Sequence, residues 1–539
     1  MTSFTSKGHG DNVHWNLESI LKGTASHESS SAFTVTALNG AAYSFTGQGL
    51  TYGSDGLPVS GTITGLTFSG SGQTAPFTVA NAGISVADFM AALHANNPEA
   101  ISAELFSGND VFAAHGSMLN LDGFAGNDIF RVGHTLTAND KIDGGDGNDT
   151  VYLTGSHGTL DFHDTTIQNV ENLFLSHSSY DIKLASGNVG IGGSLFVNGG
   201  HLHANQSLTL DASAITNGAV HVNGGHGNDT ITGSQHSGDL LNGFGGDDTI
   251  TSGNGDSIIN GGNGNDTLAG GNGNDRIYSG AGIDHVSAGG GNDQIYFGTD
   301  FGTGDTVDGG AGNDTLHITE VGIPTLTLSA PMIQNVETLS LDTGSTGLTI
   351  NFGANTSLTG PLTLDASSLT SGNALVADAT NVVESTVDLI GGAGNDVLTG
   401  TTGNDILNGG GGTNILNGGG GSDTFVFNAL DSTGSTVDTI VGFNALTDVL
   451  QLPNGVTGLD SSPLGIIAST VDGLLNLVGN TLGSHDAMVV QPILGLLSGN
   501  AFMLVDQNGV AGFQAGQDMI VELQNATHLG SLDLGNFLG

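Results

Sequence analysis

GGNGNDTLA, residues 261–269, lies inside a run that repeats every nine residues. From Ser234 to Tyr296, seven consecutive blocks keep one register. At the eighth place stand Leu241, Ile250, Ile259, Leu268, Ile277, Val286 and Ile295; at the sixth stand Asp239, Asp248, Ser257, Asp266, Asp275, Asp284 and Asp293. A flexible Gly/Asn/Asp linker has no reason to keep an apolar residue at every ninth position. A second run, Gly391 to Val426, adds four blocks with Leu398, Leu407, Leu416 and Phe425 at the eighth place and Asp396, Asp405, Asn414 and Asp423 at the sixth. Isolated copies begin at Gly123, Gly144, Gly224 and Gly309 and bring in Asp128, Asp149, Asp229 and Asp314.

The spacing dictates a shape. The glycine-rich half of each block reaches backbone conformations closed to residues with a Cβ, so it turns and points carbonyl oxygens inward. The last three residues form a short strand with one large apolar side chain in the core. Two blocks make one turn, so aspartates eighteen apart stack on one edge, as in Asp248–Asp266, Asp266–Asp284, Asp275–Asp293 and Asp405–Asp423. Stacked carboxylates repel, and a hard, oxygen-seeking cation relieves them. Calcium, which takes six to eight oxygens in flexible geometry, suits carboxylates plus carbonyls better than magnesium does. Ser257 interrupts one edge, with neighbouring Asp256 a candidate stand-in, and Asn414 removes a charge beside Asp396.

This register resembles the GGxGxDxUx repeat of RTX proteins, and 261–269 matches it at every fixed position. The resemblance implies an all-β chain built on a parallel β-roll or β-solenoid. It also implies multiple Ca2+ sites, with Gly261, Gly264, Gly270 and Gly273 contributing backbone beside the sixth-place aspartates named above. It implies export from a Gram-negative bacterium to the extracellular space or cell surface, where calcium is abundant enough to fold the roll.

Composition agrees. Glycine supplies 92 of 539 residues, and 6 lysines and arginines face 52 acids, a formal charge of −46. Such a chain repels nucleic acid and anionic membranes, so no nucleic-acid partner and no membrane insertion are expected. With no cysteine, no disulfide or thiolate site can staple it. Met1 to Gly23 holds no apolar run like a signal-peptide core.

The repeats are embedded in a larger duplication. IDGGDGNDTVYLTG (142–155), IQNVENLFL (167–175) and LTLDASAIT (208–216) match VDGGAGNDTLHITE (307–320), IQNVETLSL (333–341) and LTLDASSLT (362–370). In the first copy, strands centred near Tyr152, Asp161, Phe174, Ile182, Phe196, Thr209 and Val220 suit successive faces of a wider, calcium-poor coil, with a β-sandwich as the alternative. The expected organisation is a β-rich domain at 1–105, a solenoid unit at 106–223, a β-roll at 224–317, a second solenoid unit at 318–390, a second roll at 391–453 and a cap at 454–539. One helix is predicted from Val86 to Ala95, with Ser85 and Asp88 as its capping box and Pro98 beyond it. Segment 469–482 is read as another. Residues 423–453 and the tail from Ala501 resemble the closing segment of RTX rolls in serralysin-type secreted proteases. That implies an uncleaved type I secretion signal and a partner in the type I machinery, although Asn536-Phe537-Leu538-Gly539 departs from the more apolar protease ends.

No protease domain is legible. His27-Glu28 has no second histidine at zinc-motif spacing, and no Gly-x-Ser-x-Gly elbow occurs. The protein is therefore expected not to be an enzyme. Histidines at 157, 163, 177, 201, 203, 221, 226 and 236 crowd the first copy, with His201 and His203 expected on one strand face, but the second copy keeps only His317. What remains is a structural or adhesive role as a surface-layer, matrix or adhesin-like protein, binding itself through calcium or a cell-surface polysaccharide. The alternatives are a soluble non-catalytic effector or, less favoured, a secreted hydrolase with an unrecognised site.

Overall fold

The computed structural model describes residues 24–36, 42–69, 77–94, 108–114, 119–134, 136–298, 301–302, 304–319, 325–328, 332–342, 348–353, 361–382, 386–428, 437–460, 470–478, 481–492, 500–515 and 517–538. Two compact units divide the chain, Met1–Tyr278 and Ser279–Gly539. Pro98 and Ala95 lie outside the described residues.

The first unit opens as an antiparallel meander of Thr24–Ser29, Ala32–Thr36, Ala42–Tyr52, Pro58–Ser69 and Phe77–Ser85. Phe33 and Phe45 stack inside it at 4.5 Å, and Phe89 of the helix Val86–His94 meets Phe45 edge-on at 5.3 Å. The Ser85 hydroxyl receives the Asp88 amide at 3.1 Å and donates to the Asp88 carboxylate, so the predicted N-terminal cap forms. The strand Phe77–Ser85 then pairs antiparallel with Val111–Ala114, which pairs parallel with Ile129–Val132. One sheet thus carries the β-rich segment into the solenoid.

From there every coil adds a parallel strand to the coil before it. Thr150–Thr154, Asn172–Ser176, Ser194–Asn198, Ala219–Gly225, Asp239–Gly245 and Ser257–Asn263 follow one another along one face. Thr159–Asp161, Tyr180–Lys183, Leu208–Asp211, Thr230–Thr232, Thr249–Thr251 and Thr267–Asn272 do so along the other. All seven strand centres expected in the duplicated region fall in these strands, and the sandwich alternative is excluded. Parallel strands joined through turns leave one inward side chain per short strand. Leu241, Ile250, Ile259 and Leu268 are accordingly at most 1 % exposed.

The second unit repeats the construction. Gln294–Phe297, Thr315–Ile318, Thr338–Leu341, Leu362–Asp365, Val387–Ile390, Ile406–Asn408, Thr424–Val426 and Val449–Gln451 stack on one face. The opposite face runs from Thr325–Leu328 through Leu348–Phe352, Leu375–Asp378, Val397–Thr399 and Ile415–Asn417 to Asp438–Val441. Parallel stacks end in open edges, and both are covered here. Met519–Gln524 pairs onto Asp438–Val441, and Phe537–Leu538 onto Val449–Gln451. Ala501–Val505 and Asp486–Val490 extend the first of these antiparallel. The helix Val471–Val478, shorter than the expected 469–482, sets Leu474 against Met488, Val490, Phe502 and Ile520.

Candidate metal centres

Each sixth-place aspartate points inward, at the corner where the glycine turn meets the strand. Asp128, Asp149, Asp229, Asp239, Asp248, Asp266, Asp275, Asp284, Asp293, Asp314, Asp396, Asp405 and Asp423 are all at most 3 % exposed. Asp284 and Asp293 extend the ladder through their own amides; in the others one carboxylate oxygen accepts a backbone N–H from the preceding coil. Asp110 N–H donates to Asp128 Oδ1 at 2.7 Å, and Asp128 N–H to Asp149 Oδ1 at 2.6 Å. Leu208 donates to Asp229, Asp229 to Asp248 and Asp248 to Asp266 at 2.6, 2.7 and 2.8 Å. In the second unit Asp284 donates to Asp305, Asp293 to Asp314 and Asp405 to Asp423 at 2.8, 2.8 and 3.0 Å. The stacked carboxylates are therefore rungs that tie coil to coil, rather than side chains splayed into solvent.

The second oxygen decides the chemistry. In Asp128, Asp149, Asp229, Asp248 and Asp314, Oδ2 is buried with no hydrogen-bond partner. Leaving a buried carboxylate oxygen unsatisfied is costly unless a cation or proton meets it. Burial pushes Asp128, Asp229 and Asp248 up to about 7, and Asp149 and Asp314 up to about 6, with neighbouring carboxylates adding to the rise for all but Asp229. Glycine keeps space open beside that oxygen. A Cβ on Gly243 would lie 2.1 Å from Asp248 Oδ2 and 2.6 Å from the Gly261 carbonyl oxygen; one on Gly123 would lie 2.3 Å from both Asp128 Oδ2 and the Gly144 carbonyl oxygen. A free anionic oxygen and a carbonyl oxygen of the next coil converge where no side chain fits. This donor set suits a hard divalent cation such as calcium.

Other predicted ligands are satisfied internally. Asp239 Oδ2 accepts the Ser234 N–H at 2.6 Å, Asp396 Oδ2 the Gly392 N–H at 2.8 Å and Asp405 Oδ2 the Thr401 N–H at 2.6 Å. The proposed stand-in Asp256 is corrected. It is exposed and accepts the Asn274 N–H at 2.7 Å, while Ser257 occupies the buried place and donates its amide to Asp275. Asn414 keeps the rung, accepting the Asp396 N–H at 2.9 Å, but turns Nδ2 towards the Gly410 and Gly411 carbonyls at 3.4 and 3.5 Å. Among the named glycines, Gly261 lends its carbonyl to the Asp248 cradle. Gly264 and Gly273 hold φ of +136° and +111°. The Gly270 carbonyl is taken by the Ser252 hydroxyl.

Several rungs were missed. Asp110, Asp305, Asp438 and Asp448 are buried in the same geometry, receiving or extending the ladders. Their signal was present: each precedes a buried apolar residue by two places, as in Asp110-Val111-Phe112 and Asp438-Thr439-Ile440. Glu171 and Glu337 end two ladders and carry the same mark, two places before the buried Leu173 and Leu339, but as glutamates outside any nonapeptide block. The strand face expected for His201 and His203 does not form. Residues 201–203 lie in the connection between the strands Ser194–Asn198 and Leu208–Asp211, and among the described residues no three His, Asp or Glu side chains converge as a metal site.

Residues 134–160, 216–235, 242–277, 270–303, 299–317 and 390–425 match the family described as RTX calcium-binding nonapeptide repeat (4 copies). The chain is an RTX-type repeat protein. No curated protein matches it. These repeats are a calcium-binding motif, which supports calcium as the cation; the cradles beside Asp229 and Asp248 lie within the matched stretches, and the one beside Asp128 takes the Gly144 carbonyl from another. Among the described residues, no helix is long and apolar enough to cross a membrane.

Proposed function

We propose that this RTX protein is secreted, non-catalytic and ordered by calcium outside the cell, and that it serves a structural or adhesive role at the cell surface. The observation that carries the reading is the set of buried carboxylate oxygens at Asp128, Asp149, Asp229, Asp248 and Asp314 that no donor of the fold satisfies. Bound calcium supplies the positive charge these oxygens lack. The chain's own part is to hold one oxygen of each carboxylate on a backbone N–H while glycine keeps the other open beside a carbonyl. Without the cation, each such aspartate must take up a proton or loosen its coil.

Extracellular calcium modules bind with dissociation constants of ~0.1–1 mM, far above cytoplasmic free calcium. A 0.1 mM site at millimolar calcium contributes about 1.4 kcal/mol, so several together rival a domain's net stability of about 5–15 kcal/mol. The coils would stay loose inside the cell and order on export, for which the type I route implied by the tail is the proposed path. A structural role is favoured because the buried carboxylates serve as inter-coil rungs, a use that leaves them no substrate to act on. Its proposed partners are further copies joined through calcium, or a surface polysaccharide.

The test is far-UV circular dichroism with size exclusion on the full chain, from chelator to about 10 mM calcium, a range that brackets the expected affinities. Cooperative gain of β signal with compaction is expected, and larger species at high calcium mark self-assembly. A folded monomer indifferent to calcium would sink the switch. Compaction without assembly or surface retention would favour a soluble effector.

A further inference from the structure

The IQNVE segment occurs once in each copy of the duplication, at 167–171 and 333–337, outside every nonapeptide block. Both copies make the same contacts. Glu171 Oε2 accepts the Asp149 N–H at 2.6 Å, and Glu337 Oε2 accepts the Asp314 N–H at 2.8 Å. Each glutamate thus stands where the next aspartate rung would stand. Asn169 and Asn335 both hold φ of +48°, a left-handed conformation asparagine tolerates. Their Nδ2 groups donate to Asp143 Oδ1 and Asp308 Oδ1, both at 2.7 Å. So fixed, their backbone carbonyls face the glycine cradle. A Cβ on Gly144 would lie 2.0 Å from the Asn169 oxygen and 2.5 Å from Asp149 Oδ2; one on Gly309 would lie 2.1 Å from the Asn335 oxygen and 2.8 Å from Asp314 Oδ2.

These are the oxygens that meet at an ordinary nonapeptide cradle, supplied by a shorter segment. In the repeat, five positions separate the first glycine from its aspartate, as from Gly144 to Asp149; only two separate Asn169 from Glu171. The strand register nonetheless sets each glutamate level with its aspartate, since Asn172 pairs with Thr150 and Thr338 with Thr315. Asp149 and Asp314 are 0 and 1 % exposed, and their Oδ2 atoms have no partner.

We propose that each IQNVE segment closes its repeat stack with a calcium site of its own, formed by Asp149 Oδ2, the Asn169 carbonyl and the Glu171 carboxylate in one copy, and by Asp314 Oδ2, the Asn335 carbonyl and the Glu337 carboxylate in the other. Asn169 and Asn335 are positioned by Asp143 and Asp308. The inference rests on the calcium reading of the aspartate cradles, and it makes the duplicated IQNVE segments, which lie outside the nonapeptide blocks, calcium binders in their own right.

The test counts calcium bound to the full chain by equilibrium dialysis with elemental analysis, comparing wild type with Glu171→Gln, Glu337→Gln and the double variant. Glutamine keeps an oxygen for the Asp149 and Asp314 amides while removing the charge. Each single variant is expected to lose one calcium equivalent, or to weaken one at least tenfold, and the double variant two. Unchanged count and affinity would overturn the proposal, whereas a wild type that binds no calcium would overturn the reading beneath it. If a variant unfolds, rescue by excess calcium supports the site, and unfolding that calcium does not rescue counts against it.

Discussion

The two nonapeptide runs share a consensus, but Asp248 in the first and Asp405 in the second hold their carboxylates differently. In the first, Asp248 spends one oxygen on the Asp229 amide and leaves the other buried and bare. In the second, Asp405 gives one oxygen to the Val387 amide and the other to the Thr401 N–H, with the Thr401 hydroxyl also donating to it. Asp396 is closed in the same way by Gly392, and Asn414 carries no charge at all. The difference lies at the second position of the repeat and in whether its amide turns onto the carboxylate. A sixth-place aspartate therefore leaves its second oxygen for a cation only where no neighbouring amide turns onto it, whether from the second place, as at Thr401, or from the first, as Ser234 does for Asp239.

Calcium withdrawal should expose this contrast most strongly. Hydrogen exchange in chelator is expected to rise at least tenfold in strands 230–251 while 397–417 changes far less; equal loss in both runs would break the comparison. Acidity should partly substitute for calcium. Asp229 and Asp248 are pushed up to about 7 from an unfolded value near 3.8, so the chelated fold holds more protons than the unfolded chain across that window. Its stability is then greatest at the acid end and falls as pH rises through 7, by up to about 1.4 kcal/mol per pH unit for each carboxylate. Thermal midpoints in chelator between pH 5 and 8 check the sign (a span set by that titration window).

Next in size, Asp405→Asn places an amide N–H against the Thr401 N–H and should cost about 1–3 kcal/mol with or without calcium. Asp248→Asn should leave the chelated protein as stable or more so, and lose stability only in calcium. Paired denaturant titrations distinguish the two, and identical behaviour would mean the second oxygen does not matter. Asn414→Asp should add a calcium equivalent and lower calcium-free stability, read by dialysis and thermal melts. Thr401→Val, which keeps the backbone N–H and removes only the hydroxyl, should cost about 1 kcal/mol or less.

Much of this was open to reading from residue order alone. The period of nine and its buried eighth place foretold parallel coils, because one inward side chain per short strand is what two-block turns require. The wider coils were legible through their duplicated strands around Phe174 and Thr209. What escaped was orientation. Whether Ser234, Gly392 or Thr401 turns its amide onto an aspartate depends on backbone angles that glycine-rich segments leave open. Asp256 failed as a stand-in because a shift of one residue moves a side chain to the opposite face. Glu171 and Glu337 escaped because they are glutamates outside any nonapeptide block, although each stands two places before a buried leucine.

The carboxylate rungs also have a mechanical meaning. Coil-to-coil bonds such as Asp229 to Asp248 run along the direction in which coils are stacked, and each coil touches only its neighbours. Tension applied along a stack would load those interfaces in series, so the weakest rung, not the average one, would set the force at which it opens. A stack with charge-bearing rungs would then grow stiffer or softer with the calcium around it, a property open to single-molecule pulling.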